Sequence, residues 1–434
     1  MFNEFSKIDA YFSETIFDFQ WRVSRKAVLG LIREAVVDVI HEEDGQAENY
    51  FITEELYAAA ENKNIYALNN PRFDQNDQVD PWLTDFLPAY ASKFGKVSLI
   101  SRSSKNFSVC NDIIKAPSKG FWKISFAILF VMVQLIFILA ILLALFQFEK
   151  IPKKGLLKNL VSSTFSFFSD FANYSYLFYK LRNSVLVLTD AYSKPGVVAC
   201  ARFFSIYVVE LQHGLITRNL PHYHFPHHDL KCTMPNEVRL FSEKWKNASR
   251  FAKGQRIGFY DAKLFSRFSG IDVSLRNNNS TIVILMQKSD QKTILDDLHL
   301  IYKYFSKQDV RTVLRLHPRQ LVDDFQYLKK SMKSLEILSA DSMINIGPKT
   351  VFIVGNSFGA FQLASAGFTV CIKDILLQKH SFFADNSEVF VGYTSVEQLF
   401  EKIDIFANNF DNRIEYSCSK FFDGSVSQPS VISD

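Results

Sequence analysis

The feature that most limits how this chain can fold is a run of 25 residues, Ile124 to Phe148, without a single charged side chain. At the helical rise of about 1.5 Å per residue it reaches roughly 37 Å, enough to cross the hydrocarbon core of a bilayer. Strand-like sequence stands on both sides of it, Lys96–Ser101 (KVSLIS) before and Ser184–Thr189 (SVLVLT) after. If those two strands share one sheet, both lie on the same side of any membrane, and a single crossing is forbidden. Three solutions are left: a helix or helical hairpin that dips in and returns, a second and more polar interfacial leg supplied by Asn159–Leu181, or a core helix with no lipid contact. Lys115, Lys119 and Lys123 precede the run and Lys150, Lys153, Lys154 and Lys158 follow it, so the positive-inside rule selects neither end for translocation. Core helices seldom lack charge for so long, which favours a monotopic anchor contacting membrane lipid through residues 124–148.

The rest of the chain reads as a folded enzyme of two domains. Its 434 residues are two to three times a common domain length, and 48% of them are hydrophobic, with 43 Phe, far from a disordered composition. A net charge of +4 is too small to argue for nucleic-acid binding. The five cysteines, Cys110, Cys200, Cys232, Cys371 and Cys418, are scattered and form no C-x-x-C pair, which points to a reducing cytoplasm and away from zinc. Charges interrupt every apolar stretch near the N-terminus, so no secretory signal is expected there. The location that follows is the cytoplasmic face of the inner membrane, monotopic or peripheral.

Residues 1–60 read as a helical extension, with Val28–Ile40 apolar at helical spacing, and Asn62–Asp80 as a long loop. From Ser184 the pattern becomes regular. SVLVLTDAY, SKPGVVACARFF and SIYVVELQHG form a strand, a helix with Pro near its start and a second strand, a βαβ unit, and Pro235–Arg250 adds a short strand and helix. A second series runs through strands Thr281–Gln287, Arg311–Leu316, Leu335–Leu338, Thr350–Gly355 and Thr369–Lys373, with helices Gln291–Phe305, Leu321–Met332 and Gly359–Ala366 between them. Strands alternating with helices in this way predict two parallel α/β sheets. The expected domains are 61–260, with an apolar insertion at 120–182, and 261–434, facing a cleft at the carboxyl ends of their strands.

Three strand ends carry the chemistry. In Val208–Gly214 (VVELQHG), Glu210, Gln212 and His213 sit where a buried strand opens, and Gly214 allows a tight turn. An imidazole titrates near working pH, so His213 is a candidate base for an acceptor hydroxyl, with Glu210 orienting it; the other reading is a histidine that satisfies a turn. Arg218, His222, Tyr223, His224, His227 and His228 follow in a polar, aromatic loop suited to a sugar, without the carboxylate pattern of a zinc enzyme. At Leu314–Arg319 (LRLHPR), His317 projects from a strand end and Arg315 or Arg319 could meet phosphate. At Val354–Ala360 (VGNSFGA), Gly355, Asn356, Ser357 and Gly359 lead a strand into a helix, leaving N–H groups free for an anion, or forming an ordinary cap. Gln287, at the end of the Thr281 strand, completes the donor-binding set.

These stretches resemble the GT-B glycosyltransferases of bacterial capsule, lipooligosaccharide and teichoic acid synthesis, including polysialyltransferase-like enzymes and CDP-glycerol glycerophosphotransferases. The resemblance spans roughly residues 184–400, and Glu-Leu-Gln-His-Gly is its most specific part. It implies a GT-B fold, with His213 as base, His317 stabilising the donor phosphates, and Asn356 with Ser357 cradling them. The substrates implied are a nucleotide-sugar donor and a polysaccharide or lipid-linked glycan acceptor, with no cofactor. There is no D-x-D in the sequence, in keeping with a metal-independent transfer. The residues after Gly214 depart from the threonine, proline, lysine continuation of the glycerophosphotransferases, which favours sugar over polyol phosphate. The competing functions are a nucleotide-sugar epimerase of the same architecture and an inactive scaffold in polysaccharide assembly; the apolar run argues against the epimerase.

Overall fold

The apolar runs become buried parallel strands. In a computed structural model the chain divides into two compact units, Met1–Ala262 with Asp423–Asp434, and Lys263–Phe422. The structure describes residues 12, 21–23, 51–52, 64–70, 78–80, 83–84, 86–88, 97–102, 112–116, 121–146, 155–214, 216, 223, 225, 229–246, 248–260, 271–273, 280–287, 290–317, 320–340, 342, 344–346, 350–355, 358–365, 368–377 and 390–408. The stretch Val28–Ile40 lies outside them.

Among the described residues the first unit holds eight strands: β1 (Phe51–Ile52), β2 (Ile65–Leu68), β3 (Val97–Ser101), β4 (Asp112–Lys115), β5 (Val185–Leu188), β6 (Tyr207–Leu211), β7 (Glu237–Leu240) and β8 (Arg256–Phe259). They form one parallel sheet in the order β1-β8-β7-β6-β5-β2-β3-β4. The strands expected before and after the apolar run, now β3 and β5, do share this sheet. Every residue of β5 is buried, as a strand covered on both faces requires. Two expectations are corrected here. Asn62–Asp80 is not one long loop, because β2 lies inside it at the centre of the sheet; four residues, Ile-Tyr-Ala-Leu, are too few to stand out among polar neighbours. Within 1–60, read as helical, Phe51–Ile52 pairs with β8 as an edge strand.

The segment between β4 and β5 is a helical hairpin, α1 (Phe121–Phe146) and α2 (Leu156–Lys180), and α3 (Pro195–Phe203) follows β5. The two helices of the hairpin do different work. Phe178 of α2, with Phe171, Tyr174 and Leu177, packs into the core made by Leu186, Leu188, Val198 and Val208, so α2 is the crossover helix that any βαβ connection needs. Helix α1 is an added outer layer, held on α2 by Ile138, Ile141 and Leu145 against Leu156 and Leu160, and by Ala127 and Phe130 against Phe167 and Phe168. The expected insertion at 120–182 is thus an added layer only over α1. Gly196, at the start of α3, fixes the approach of α3 to α2: a Cβ there would lie 2.2 Å from the Phe167 carbonyl oxygen.

The second unit holds β9 (Ile271–Val273), β10 (Thr281–Leu285), β11 (Arg311–Arg315), β12 (Glu336–Leu338), β13 (Ile344–Ile346), β14 (Thr350–Val354), β15 (Thr369–Lys373) and β16 (Val391–Tyr393), with helices α4 (Gln291–Ser306), α5 (Phe358–Ser365), α6 (Asp374–Leu377) and α7 (Val396–Asn408). Its main sheet is parallel, in the order β12-β11-β10-β14-β15-β16, and β9 pairs with β13 apart from it. Ile284, Leu298, Ile301, Leu314, Ile353 and Leu399 centre its core. The helix expected over Leu321–Met332 is a set of 3-10 turns at Val322–Lys330, whose buried residues Phe325 and Leu328 are three apart, the 3-10 period.

Both main sheets are doubly wound. The chain moves outward from β2 to β4 and returns beside β2 as β5; in the second unit it moves outward from β10 to β12 and returns beside β10 as β14. Each sheet therefore has a switch point at the carboxyl ends of its two central strands, the place where open α/β sheets bind ligands.

Candidate active site

At the switch point of the first unit lies a buried polar cluster. The Thr189 hydroxyl donates to Asp80 Oδ2 at 2.6 Å, the Asp80 N–H donates to Asn69 Oδ1 at 2.8 Å, and Asn69 Nδ2 donates to the Gln78 carbonyl at 2.8 Å. All of Asn69, Asp80 and Thr189 are about 1% exposed. The cluster ties the ends of β2 and β5 together. The sequence signal was present in the Asn- and Asp-rich stretch after Leu68, but without β2 it had no strand end to belong to.

One residue further, Asp190, two residues past β5, opens a 3-10 turn, Ala191–Ser193, that runs into α3. Its carboxylate accepts from Ser193 Oγ at 2.7 Å and pairs with Lys194 Nζ. Tyr192, in the same turn, stacks on His213 at a centroid distance of 5.9 Å and an interplanar angle of 10°. Thus Asp190, Tyr192 and Lys194 belong to the site of His213. Their signal was a polar turn between a buried strand and a proline at the helix start, which marks a strand end without marking its chemistry.

His213 follows β6. Its Nδ1 is buried and makes no hydrogen bond of good geometry among the described residues, although the Leu211 backbone lies close enough to favour the protonated ring. Burial drives its pKa down to about 4, opposed by the carboxylate of Asp190 and assisted by Lys194. The ring as a whole is half-buried, and at neutral pH the imidazole is neutral.

Glu210 does not orient His213. Its carboxylate, 2% exposed, accepts from the Ala191 N–H and from Tyr223 Oη, each at 2.9 Å. The side chain is turned to the β5–α3 connection, where strand alternation sends it. Burial raises its pKa to about 8, and nearby Asp190 raises it further while the Tyr223 bond works the other way. Glu210, its pKa raised by burial, fastens Tyr223 and the Asp190 turn as a hydrogen-bond acceptor. Burial also pushes the Tyr223 phenol well up. Gln212, fully buried, accepts from the Phe241 N–H at 3.0 Å and donates to the Gly214 carbonyl at 2.9 Å, while its own carbonyl accepts from Tyr260 Oη. Gln212 is thereby a fastener of β6 to β7. At Gly214 no described heavy atom lies within 4 Å of where a Cβ would stand. Arg218, His222, His224, His227 and His228 lie outside the described residues.

In the second unit the switch point brings Gln287, Asp290 and Gly355 together. Gly355 is required there, because a Cβ would fall 2.4 Å from Asp290 Oδ2. The Asp290 N–H donates to the Gln287 carbonyl at 3.2 Å. His317, after β11, is fixed by its backbone: its N–H donates to Gln320 Oε1 at 2.8 Å, and Gln320 Nε2 donates to Gln291 Oε1 at 2.9 Å. Arg315 donates to the Ala340 carbonyl, tying β11 to the turn after β12. Gly359 lies in the first turn of α5. Arg319, Asn356 and Ser357 lie outside the described residues. Among the described residues no group of three or more His, Cys, Asp or Glu side chains is placed to share a metal ion.

No known family model matches this chain, and no curated protein matches it. Among solved structures it is similar to the glycotransferase of kitacinnamycin, at 11% identity over 83% of this chain and 95% of that one, with a TM-score of 0.46. It is also similar to Anabaena Alr3699/HepE in complex with UDP and glucose, at 11% identity over 83% and 96%, with a TM-score of 0.42. A third is the wall teichoic acid polymerase TagF, at 10% identity over 84% of each chain, with a TM-score of 0.40.

Proposed function

We propose that this chain is a glycosyltransferase that moves a sugar from a nucleotide-sugar donor onto a hydroxyl of a surface polysaccharide or lipid-linked glycan, without a metal in the chemical step, at the cytoplasmic face of the membrane. The observation that supports it best is His213: a neutral, half-buried imidazole with a sealed Nδ1, at the carboxyl end of β6 and within the field of Asp190. Sealing Nδ1 leaves Nε2 for an acceptor hydroxyl. In the step we envisage, Nε2 takes the hydroxyl proton as the oxygen bonds to the anomeric carbon. The bond from that carbon to the donor phosphate breaks, and its electron pair leaves with the nucleotide. Asp190 then stabilises the imidazolium until the proton passes to solvent, an electrostatic role. In the second unit, Gln287, Gly355, Gly359 and the start of α5 would hold the nucleotide diphosphate, with His317 and Arg319 neutralising the leaving charge and Asn356 and Ser357 supplying N–H donors.

The test is nucleotide release from UDP-, CDP-, GDP-, TDP- and CMP-sugars with and without glycan acceptor. Release that needs the acceptor is expected. Isomerisation of a donor with no acceptor present would replace this reading by the epimerase, and transfer of glycerol phosphate from CDP-glycerol would replace it by polyol-phosphate transfer.

A further inference from the structure

The outward face of α1 is apolar without interruption. Among its described side chains, every exposed one from Ile124 to Phe146 is a large hydrophobic group; Met132, Ile136 and Leu143 are 62%, 76% and 69% exposed, and Ile128, Leu129 and Val133 stand beside them. From Ile124 to Leu143 the stripe runs for about 29 Å. Such a stripe on a water-facing helix asks for a cover. The opposite face of α1 lies on α2, and α2 in turn fills the core above β5 and β6, with Asn173 and Thr164 buried along it. A helix fastened along its length to the body cannot stand across a bilayer, because α2 and the sheet would have to enter with it. It can lie flat.

The charge around the stripe indicates what covers it. Between Asp112 and Asp170 the sequence holds seven lysines, no arginine and one acid, Glu149, in a chain whose total is only +4. Beside the α1 start, the end of α2 displays Tyr176 and Tyr179, exposed, with Lys180 over the Tyr176 ring at 4.5 Å and Arg182 over the Tyr179 ring at 5.0 Å. Phe203, 71% exposed on α3, extends this aromatic patch through Phe171. An apolar stripe, an aromatic patch bearing Lys180 and Arg182, and lysines at both ends of the stripe in the sequence match what a bilayer presents as acyl chains, interface and anionic headgroups.

We infer that α1 is an in-plane membrane helix: its outer stripe lies among the acyl chains of one leaflet of an anionic bilayer, with Tyr176, Tyr179, Lys180 and Arg182 in the headgroup layer, and nothing crosses. This surface does not depend on what the strand ends transfer, and its test uses no substrate. Full-length protein is floated with vesicles of phosphatidylcholine alone and with phosphatidylglycerol added. Wild type is expected to float with both, and more with the second. The Met132→Glu/Ile136→Glu variant, altered only at exposed positions and keeping the wild-type Tm, is expected to float about tenfold less. Leu321→Glu/Tyr327→Glu, the same charge change on exposed residues of the second unit, is expected to float as wild type. The Ile136→Trp variant reports depth, and bromines on the acyl chains are expected to quench it. Wild type that stays unfloated with both vesicles, or Ile136→Trp that no acyl bromine quenches, overturns the inference. So does a wild-type dimer in detergent-free buffer that Met132→Glu/Ile136→Glu splits, which would give the face to a second copy.

Discussion

The two units share one topology and put different chemistry on it. At the strand ends of the first, titratable groups are buried and displaced from their ordinary behaviour: Glu210 toward about 8, His213 toward about 4, Tyr223 far up. At those of the second, the described features are backbone and geometry: a glycine that admits Asp290, a histidine pinned by its own N–H, an arginine spent on a carbonyl. The first arrangement suits moving a proton, the second holding an anion. A doubly wound sheet thus fixes where strand-end groups gather, while the side chains at each switch point decide their chemistry.

If this division is right, the two histidines fail differently. His213→Ala is expected to lower kcat by about 10²–10⁴-fold, the usual share of a general base, with donor affinity and Tm unchanged. His317→Ala is expected to abolish transfer too, but through the donor, with nucleotide affinity measurably weakened in a thermal-shift titration. Near-wild-type turnover in either variant removes that residue from the mechanism, and identical kinetic signatures in the two would erase the contrast.

Glycines sharpen the same comparison at smaller scale. Gly355→Ala pushes a methyl into the Asp290 carboxylate, and overpacking of this kind costs about 1–3 kcal/mol. A lowered Tm with weaker nucleotide binding is expected. Gly214→Ala meets no described atom, and its Tm should stay within about 0.5 kcal/mol equivalent of wild type. A larger loss at Gly214 than at Gly355 would reverse the assignment of the crowded switch point.

Much of this is legible in the sequence. Long β-branched and aliphatic runs such as Thr281–Leu285 and Val185–Leu188 announce buried parallel strands, and the motifs at 210–214, 314–317 and 354–359 do fall at strand ends. What could not be read was anything set by neighbours distant in sequence. Strand β2 is four residues long and is identified only by β3 and β5 on its sides. The partner of Glu210 is Tyr223, thirteen residues on through a loop, so adjacency within the motif suggested His213 in its place. Asp190 and Tyr192 reach His213 because β5 and β6 pair in register, a contact no local pattern contains.

The smallest expected effect tests whether the first unit holds its buried groups as described. A carboxyl that keeps its proton to about pH 8 when folded, but loses it near the ordinary 4.5 when unfolded, favours the folded state at low pH. That contribution declines as pH rises from about 4.5 to 8, by at most about 1.4 kcal/mol per pH unit. His213 acts the other way: its folded pKa lies below the ordinary 6.5, so its contribution is present above 6.5 and lost as pH falls toward 4. Between about 4.5 and 6.5 the two oppose each other, and between 6.5 and 8 only Glu210 acts. Glu210→Gln keeps an acceptor for the Ala191 N–H and Tyr223 Oη while removing the titration. Its Tm, measured beside wild type from pH 5 to pH 8.5, is therefore expected to gain on wild type steadily as pH rises. A difference that stays constant over that range would mean Glu210 is ionised in the fold.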